Sequence, residues 1–421
     1  MKRQVGQVEM VKANAGNKSI CLPVLSEVAY QTLLSDPTRL RNYINQWLAR
    51  SPEIFPVEMA SGFWFHDIVT SRKMNLKMRR IQLLKTGEVY QLRPEFVMPY
   101  MVGRTDDVEK GLYLRRYGVP FDALAYVFGR DASYWYRACQ ALGRCSLVGT
   151  TVKDPELLPV NLVADEKHSW RLGERIYIPT TVAKGCFLGV ELVESAGTKA
   201  LVEGYKSFQT EALALNPNYC PETVNTDGWQ HTQTAWQTLF PGIELILCFL
   251  HAVLGIRKYC RRTPTLLQEL TNRLWRIYKA PDKRQFSQRL RRIQEWAKVK
   301  IGPETVRQKL LNLKAKSPKF QVAYDFPDAY RTSNTLDRLM NYQDRVLYSM
   351  QYFHRSKESA RLQLRAMALL WNFHPYGSRT KSNHPTRSSP FQDLNGFQYH
   401  DNWLHNLLIA SSMNGRRPGK H

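Results

Sequence analysis

From Leu158 to His251, short apolar runs alternate with helical patterns in one fixed order. "LPVNLVADEKHSW" reads as an apolar strand running into acids. "GERIYIPTTVAKGCFLGVELVES" reads as two strands joined at Lys184-Gly185, a hairpin signal. "GTKALVEGYKSFQTEALAL" has the spacing of an amphipathic helix. "ETVNTD" is then a strand, "TQTAWQTLF" a helix and "IELILC" a strand. The order β, β, β, α, β, α, β restricts the chain to a mixed sheet with helices on its faces.

One stretch poses a question. In "TVNTDGWQHTQTAWQTLF", Asp227 stands where the fourth strand stops. Ligands of α/β sheets bind at the carboxyl ends of strands. An Asp before a helix is also an ordinary N-cap, accepting hydrogen bonds from free N–H groups. Two further acids enter the comparison. Asp165 is expected at the end of the first strand, and Asp337 one turn into the helix of "RTSNTLDRLMNYQDR". The strand order is similar to that of the ribonuclease H-like fold, in which those positions would converge. Three carboxylates can hold two Mg²⁺ ions about 4 Å apart, the arrangement used for in-line displacement at phosphorus. Mn²⁺ is the expected substitute. Glu166, on the same strand, should face away from Asp165.

Charge points the same way. The chain has 60 Lys and Arg against 36 Asp and Glu, a net of +24 over 421 residues. Between Gly255 and Phe320 there are 19 Lys or Arg and four acids, a net of +15. The run includes Arg261, Arg262, Arg273, Arg276, Arg291 and Arg292, with Tyr259, Trp275, Tyr278, Phe286 and Trp296 interleaved. So one-signed a block is costly without a polyanion, and phosphate backbones supply one. No apolar run reaches the length of a spanning helix, so no membrane partner is expected. Seven scattered cysteines without a C-x-x-C pair argue against a disulfide framework or a zinc ribbon. The expected location is cytoplasmic, at the nucleoid of a prokaryote.

Upstream, "EKGLYLRRYGVPFDALAYVFGRDASYWYRACQALGR" holds three short helical patterns broken at Gly118-Val119-Pro120 and Gly129-Arg130-Asp131. Leu114, Tyr117, Phe121, Leu124, Ala125 and Phe128 are expected to line its core. This spacing suits a helix-turn-helix, whose last helix would offer Ser133, Tyr134 and Arg137 to DNA. The alternative is a helical packing unit with no DNA contact. Before it, "DPTRLRNYINQWLAR" reads as a helix with an Asp start signal, and "MRRIQLLKTGEVYQLRPEF" as a β-hairpin.

"TDGWQHTQTAWQTLFPGIELILCFLH", followed by "TSN" before the last acid, resembles the Mutator-like class of DDE transposases. The resemblance spans about Leu158 to Phe373. It implies a ribonuclease H-like catalytic core, with Asp165, Asp227 and Asp337 as catalytic metal ligands. It also implies an all-helical insertion before the last acidic helix, and His251 beside the scissile phosphate with Cys248 packed beneath it. Trp229 would either stack on an unpaired base or fill the core. The family usually carries Glu as its third acid. Asp337 is a methylene shorter, so its helix must sit closer to the metals; Asp344 and Asp328 are the fallbacks. The implied activity is metal-dependent cleavage at transposon ends, then joining of the 3′-hydroxyl to target DNA. Double-stranded DNA and at least a homodimer are the expected partners. A ribonuclease H-like nuclease or junction resolvase, and a DNA-binding protein without chemistry, are the alternatives.

The expected organisation is an N-terminal region with a hairpin (1–105), a helix-turn-helix region (106–150) and a core split as 156–252 and 325–375. The basic helical insertion (253–324) divides the core, and a tail (376–421) follows it.

Overall fold

The computed structural model describes residues 18–24, 26–260 and 264–416. Among the described residues, nine strands form two mixed sheets. The first contains β1 (Ser19–Leu22), β2 (Phe63–Ser71), β3 (Leu76–Leu83) and β4 (Val89–Pro94), in the order β1-β4-β3-β2. The β3–β4 pair is the hairpin anticipated from the Thr-Gly turn, and Gly87 takes φ +69° in it. Strands β1 and β2 carried no clear alternation in the sequence. β1 is parallel to β4, and β2 is antiparallel to β3 with a register shift between Phe65 and Ile68.

The second sheet contains β5 (Asn161–Arg171), β6 (Glu174–Ala183), β7 (Cys186–Val190), β8 (Thr223–Thr226) and β9 (Glu244–Leu247), in the order β7-β6-β5-β8-β9. The first three strands are antiparallel; β8 and β9 run parallel to β5. The β5–β6 and β6–β7 turns are two residues long. Leu172-Gly173 and Lys184-Gly185 have positive φ at both positions, the geometry that matches strand twist in tight hairpins.

Alternation along β5 divides the two faces. Leu162 and Ala164 pack with Leu201, Tyr205 and Phe208 of helix Thr198–Leu215 and with Trp236 of helix Gln230–Leu239. Val163 points to the opposite face, into a larger core with Leu336, Leu339 and Tyr342 of helix Asn334–Ser349 and with Leu364 and Met367 of helix Lys357–Phe373. That core continues through Trp135 and Leu112 to Leu92 and Ile20 of the first sheet.

Helices Thr105–Arg115, Phe121–Phe128 and Ala132–Gly143 fall where the breaks were read. Of the expected interior, Leu124 is buried and Leu114, Phe121, Ala125 and Phe128 pack partly buried against the core; Val108, Leu112 and Trp135 join it, whereas Tyr117 is exposed. The reason is the third helix's docking on Lys357–Phe373. A Cβ on Gly143 would lie 1.9 Å from the Leu362 carbonyl oxygen, and Tyr136 and Gln140 each bond Ser359 Oγ at 2.6 Å.

Between β9 and helix Asn334–Ser349, helices Pro264–Tyr278, Lys283–Lys300 and Glu304–Ala315 build a separate core. It includes Leu274, Leu290 and Leu310, and Phe249 and Val253 of helix Phe249–Arg257 join it. The tail returns to the first sheet: helix Trp403–Ala410 is buried throughout, and Ser412 Oγ accepts from the Cys21 N–H at 3.0 Å. No described helix is long and apolar enough to cross a membrane.

Candidate active site

Strand pairing places the first two acids on neighbouring segments. β5 and β8 pair with a constant offset, Asn161 with Thr223 and Val163 with Asn225. The last pair is Val163 with Asn225, and β8 ends one residue later at Thr226, so Asp227 leaves the sheet on the strand next to the one that carries Asp165. Asp165 is not at the end of its strand, as the sequence suggested. Its antiparallel pairing with β6 carries β5 on to Arg171. It lies instead where β8 stops, so the open end of the neighbouring strand makes its side accessible.

Asp227 is not the helix N-cap. Trp229 holds that position before Gln230–Leu239, and Asp227 Oδ1 accepts the Trp229 N–H at 2.7 Å. The carboxylate is thus steadied by a local turn with its other oxygen outside that bond. Gly228 makes the turn at φ +97°, and a Cβ there would come 2.8 Å from Leu247 Cδ2.

The third acid arrives on helix Asn334–Ser349, where Asp337 occupies the first turn. A chain of contacts ties it to the C-x-x-H pair. Cys248 Sγ and Ser333 Oγ are 3.3 Å apart, the Ser333 N–H reaches Cys248 Sγ at 3.2 Å, and Ser333 Oγ lies 3.2 Å from Asp337 Oδ2. Cys248 is buried and opens helix Phe249–Arg257, which carries His251 one turn on.

The charges of these residues act on one another. Burial pushes the Asp165 carboxyl up to about 6, and the Asp227 and Asp337 carboxylates add to the rise; the Glu166 N–H at 2.8 Å and His251 oppose it. His251 is raised to about 9, first through the neighbouring Cys248 and then by Asp165 and Asp227, with burial opposing the rise. Close carboxylates raise one another's pKa, and a cation between them would reverse that effect. The donors offered are carboxylate oxygens, the ligand type that suits Mg²⁺ or Mn²⁺. The buried Asn225 Oδ1 and Thr226 Oγ1, next to Asp227, also have no partner. Asp165, Asp227 and Asp337 do not form a trio with ligand atoms all within 4.8 Å of one another. They are set wider than the inner sphere of a single ion.

Glu166 faces away from this cluster, as alternation requires. Its Oε1 accepts from Tyr205 Oη at 2.6 Å and Thr232 Oγ1 at 2.7 Å, and burial raises its carboxyl to about 7. Asp344 is engaged by Lys167 at 2.5 Å, and Asp328 is exposed. Trp229 is 38% exposed and meets His231 edge-on, so it sits at the rim and not in the core.

Of the residues expected to meet DNA, Arg276, Arg291 and Arg292 are exposed on the helical insertion; Arg273 is paired with Glu269 at 2.7 Å and stacked over Trp296. Arg261 and Arg262 lie outside the described residues. Among the described Lys and Arg of the insertion, only Arg273, Lys283 and Arg307 have a carboxylate within 4.0 Å. Ser133 and Arg137 are exposed and Tyr134 half-buried on the outer edge of their helix, while its other side is docked.

Ser333 was missed as a functional residue by sequence reasoning. Its signal was the Thr332-Ser333-Asn334 run, but a serine ahead of a helix is an ordinary cap. Here its side chain caps nothing and bridges Cys248 to Asp337. No protein-family model matches the chain, and no curated protein is significantly similar to it.

Proposed function

We propose that this protein is a DDE-type DNA transposase with a ribonuclease H-like catalytic core. What supports the reading is that Asp165 stands on β5, Asp227 just past the paired strand β8, and Asp337 in the first turn of helix Asn334–Ser349, linked through Ser333 to Cys248, in a sheet ordered β7-β6-β5-β8-β9. Asp165, Asp227 and Asp337 would hold a pair of Mg²⁺ ions, which when bound activate the attacking oxygen and stabilise the leaving one.

The chain's own residues supply the rest. The turn at Gly228 and the Trp229 N–H orient Asp227. Ser333 orients Asp337, letting a shorter acid serve where the resembling family carries Glu. His251, one turn into the helix that Cys248 opens, would face a phosphate entering beside the acids, and Cys248 and the acids favour its charged form. Exposed arginines of the insertion bind DNA backbone in a salt-dependent way. Hydrolysis at an element end and attack by the freed 3′-hydroxyl are both in-line displacements at phosphorus, so one site can run both. Two ends must be joined, so a dimer is the working form.

The test is a cleavage and joining assay with DNA carrying the gene's own flanking ends and Mg²⁺ or Mn²⁺. Wild type should cut at the ends and form joined product. Asp227→Ala should bind the same DNA and do neither. Efficient cleavage with no joining would favour a nuclease, and binding without metal-dependent chemistry would overturn the enzyme reading.

A further inference from the structure

A second cluster of ligating side chains lies far from the three acids in the sequence, where the tail meets the first sheet. Glu95 follows β4 and is almost fully buried, with Oε2 unpartnered. His405 Nδ1 lies 3.6 Å and His400 Nε2 3.9 Å from Glu95 Oε1. The two rings stack at 4.8 Å. Among the described residues, this is the one trio of His, Cys, Asp or Glu whose ligand atoms all fall within 4.8 Å of one another.

The hydrogen bonding of His405 leaves one ring nitrogen open to a metal. Its Nε2 lies 3.0 Å from Asp106 Oδ1 and can donate to it. That bond holds the proton on Nε2 and leaves the Nδ1 lone pair turned toward the Glu95 carboxylate. At 3.6 Å, with Nδ1 unpartnered, the gap is too long for a hydrogen bond. Two donors bound tetrahedrally to one Zn²⁺ at 2.0–2.1 Å sit about 3.4 Å apart. An outer carboxylate on the second nitrogen of a ligating histidine is the usual support of such sites.

His400 carries the one opposing feature. Its Nδ1 accepts the Asn402 N–H at 2.8 Å, which places the ring proton on Nε2. Ligation through Nε2 would move that proton to Nδ1 and release the Asn402 N–H. Asn402 is half-exposed, so water can take that N–H in exchange.

We propose that Glu95, His400 and His405 form a structural site for Zn²⁺ or a similar first-row divalent cation, with Asp106 as its positioning residue. The ion would tie the C-terminal helix to β4 and to helix Thr105–Arg115, tightening a junction also held by the Trp403–Glu109 hydrogen bond. It is separate from the candidate active site in residues and in donor chemistry.

The test uses the untagged full-length protein, stripped with chelator and titrated with Zn²⁺. Metal content is read by mass spectrometry after gel filtration, and affinity by calorimetry. The expected result is one Zn²⁺ per chain, retained in Asp227→Ala and lost in the His400→Gln/His405→Gln double variant. Asp106→Asn, at a side chain 78% exposed, should fold normally and bind Zn²⁺ 10- to 100-fold more weakly, about the usual effect of removing such an outer partner. No stoichiometric Zn²⁺ in wild type, or equal affinity in wild type and Asp106→Asn, would overturn the site and leave a proton-bridged Glu–His cluster.

Discussion

Replacing Gly228 by Ala tests whether the turn after β8 holds the second acid in place. Gly228 has φ +97°, and an added Cβ would meet Leu247 Cδ2 at 2.8 Å. The backbone term costs about 1–2 kcal/mol, and forcing a methyl against a packed neighbour about 1–3 kcal/mol. The less flexible unfolded chain returns about 0.4–1 kcal/mol. The net expectation is a loss of about 1–4.6 kcal/mol, read by urea unfolding. Relief requires movement of either the turn or Leu247. The turn carries the Asp227–Trp229 hydrogen bond, and Leu247 ends β9 just before Cys248, whose N–H bonds the Thr226 carbonyl at 2.7 Å. Movement of the turn displaces Asp227, and a misplacement of about 1 Å costs on the order of 100-fold in rate. Metal-dependent cleavage at matched folded concentration should fall accordingly. Gly242→Ala is the control, since nothing lies within 4 Å of a Cβ there and its φ is ordinary. A Gly228→Ala protein within about 0.5 kcal/mol of wild type and equally active would refute the reasoning.

Two further outcomes are expected. Arg291→Ala and Arg292→Ala should each weaken DNA binding across unrelated sequences and lower the slope of log affinity against log salt by about 1; an unchanged slope would remove these residues from the DNA surface. His374 is buried among Tyr113, Tyr117 and Trp403, and burial, with Arg116 adding to it, depresses its pKa to about 3. Its folded pKa is below the unfolded value of about 6.5, so its contribution to stability is present above that pH and is lost as pH falls toward 3. Between pH 6.5 and pH 5 the loss is about 2 kcal/mol. His374→Phe should flatten that part of the stability–pH curve, and parallel curves for the two proteins would refute the assignment.

Much of the architecture was readable because it is encoded over a few residues. Asp36 caps helix Pro37–Arg50, Lys184-Gly185 turns β6 into β7, and the apolar spacing of Lys283–Lys300 makes a helix whatever surrounds it. The positions of Asp227 and Asp337 beside element ends follow from the same local signals. Strands β1 and β2 escaped notice because β1 has only four residues and β2 is half-exposed along most of its length.

The sequence by itself therefore determined most helices, the five strands of the second sheet, where turns fall, and that one helical block carries excess positive charge. Tertiary structure alone decided what meets. Strand β5, which carries Asp165, pairs with β8, which Asp227 follows, Ser333 reaches back across 85 residues to Cys248, and the third N-terminal helix lays one side on Lys357–Phe373. Glu95 and His405 come together from more than 300 residues apart. Periodicity and turn chemistry act through neighbouring φ and ψ angles, so they are legible in a short window. Pairing across tens or hundreds of residues is selected by burial, register and charge only once the whole chain has packed.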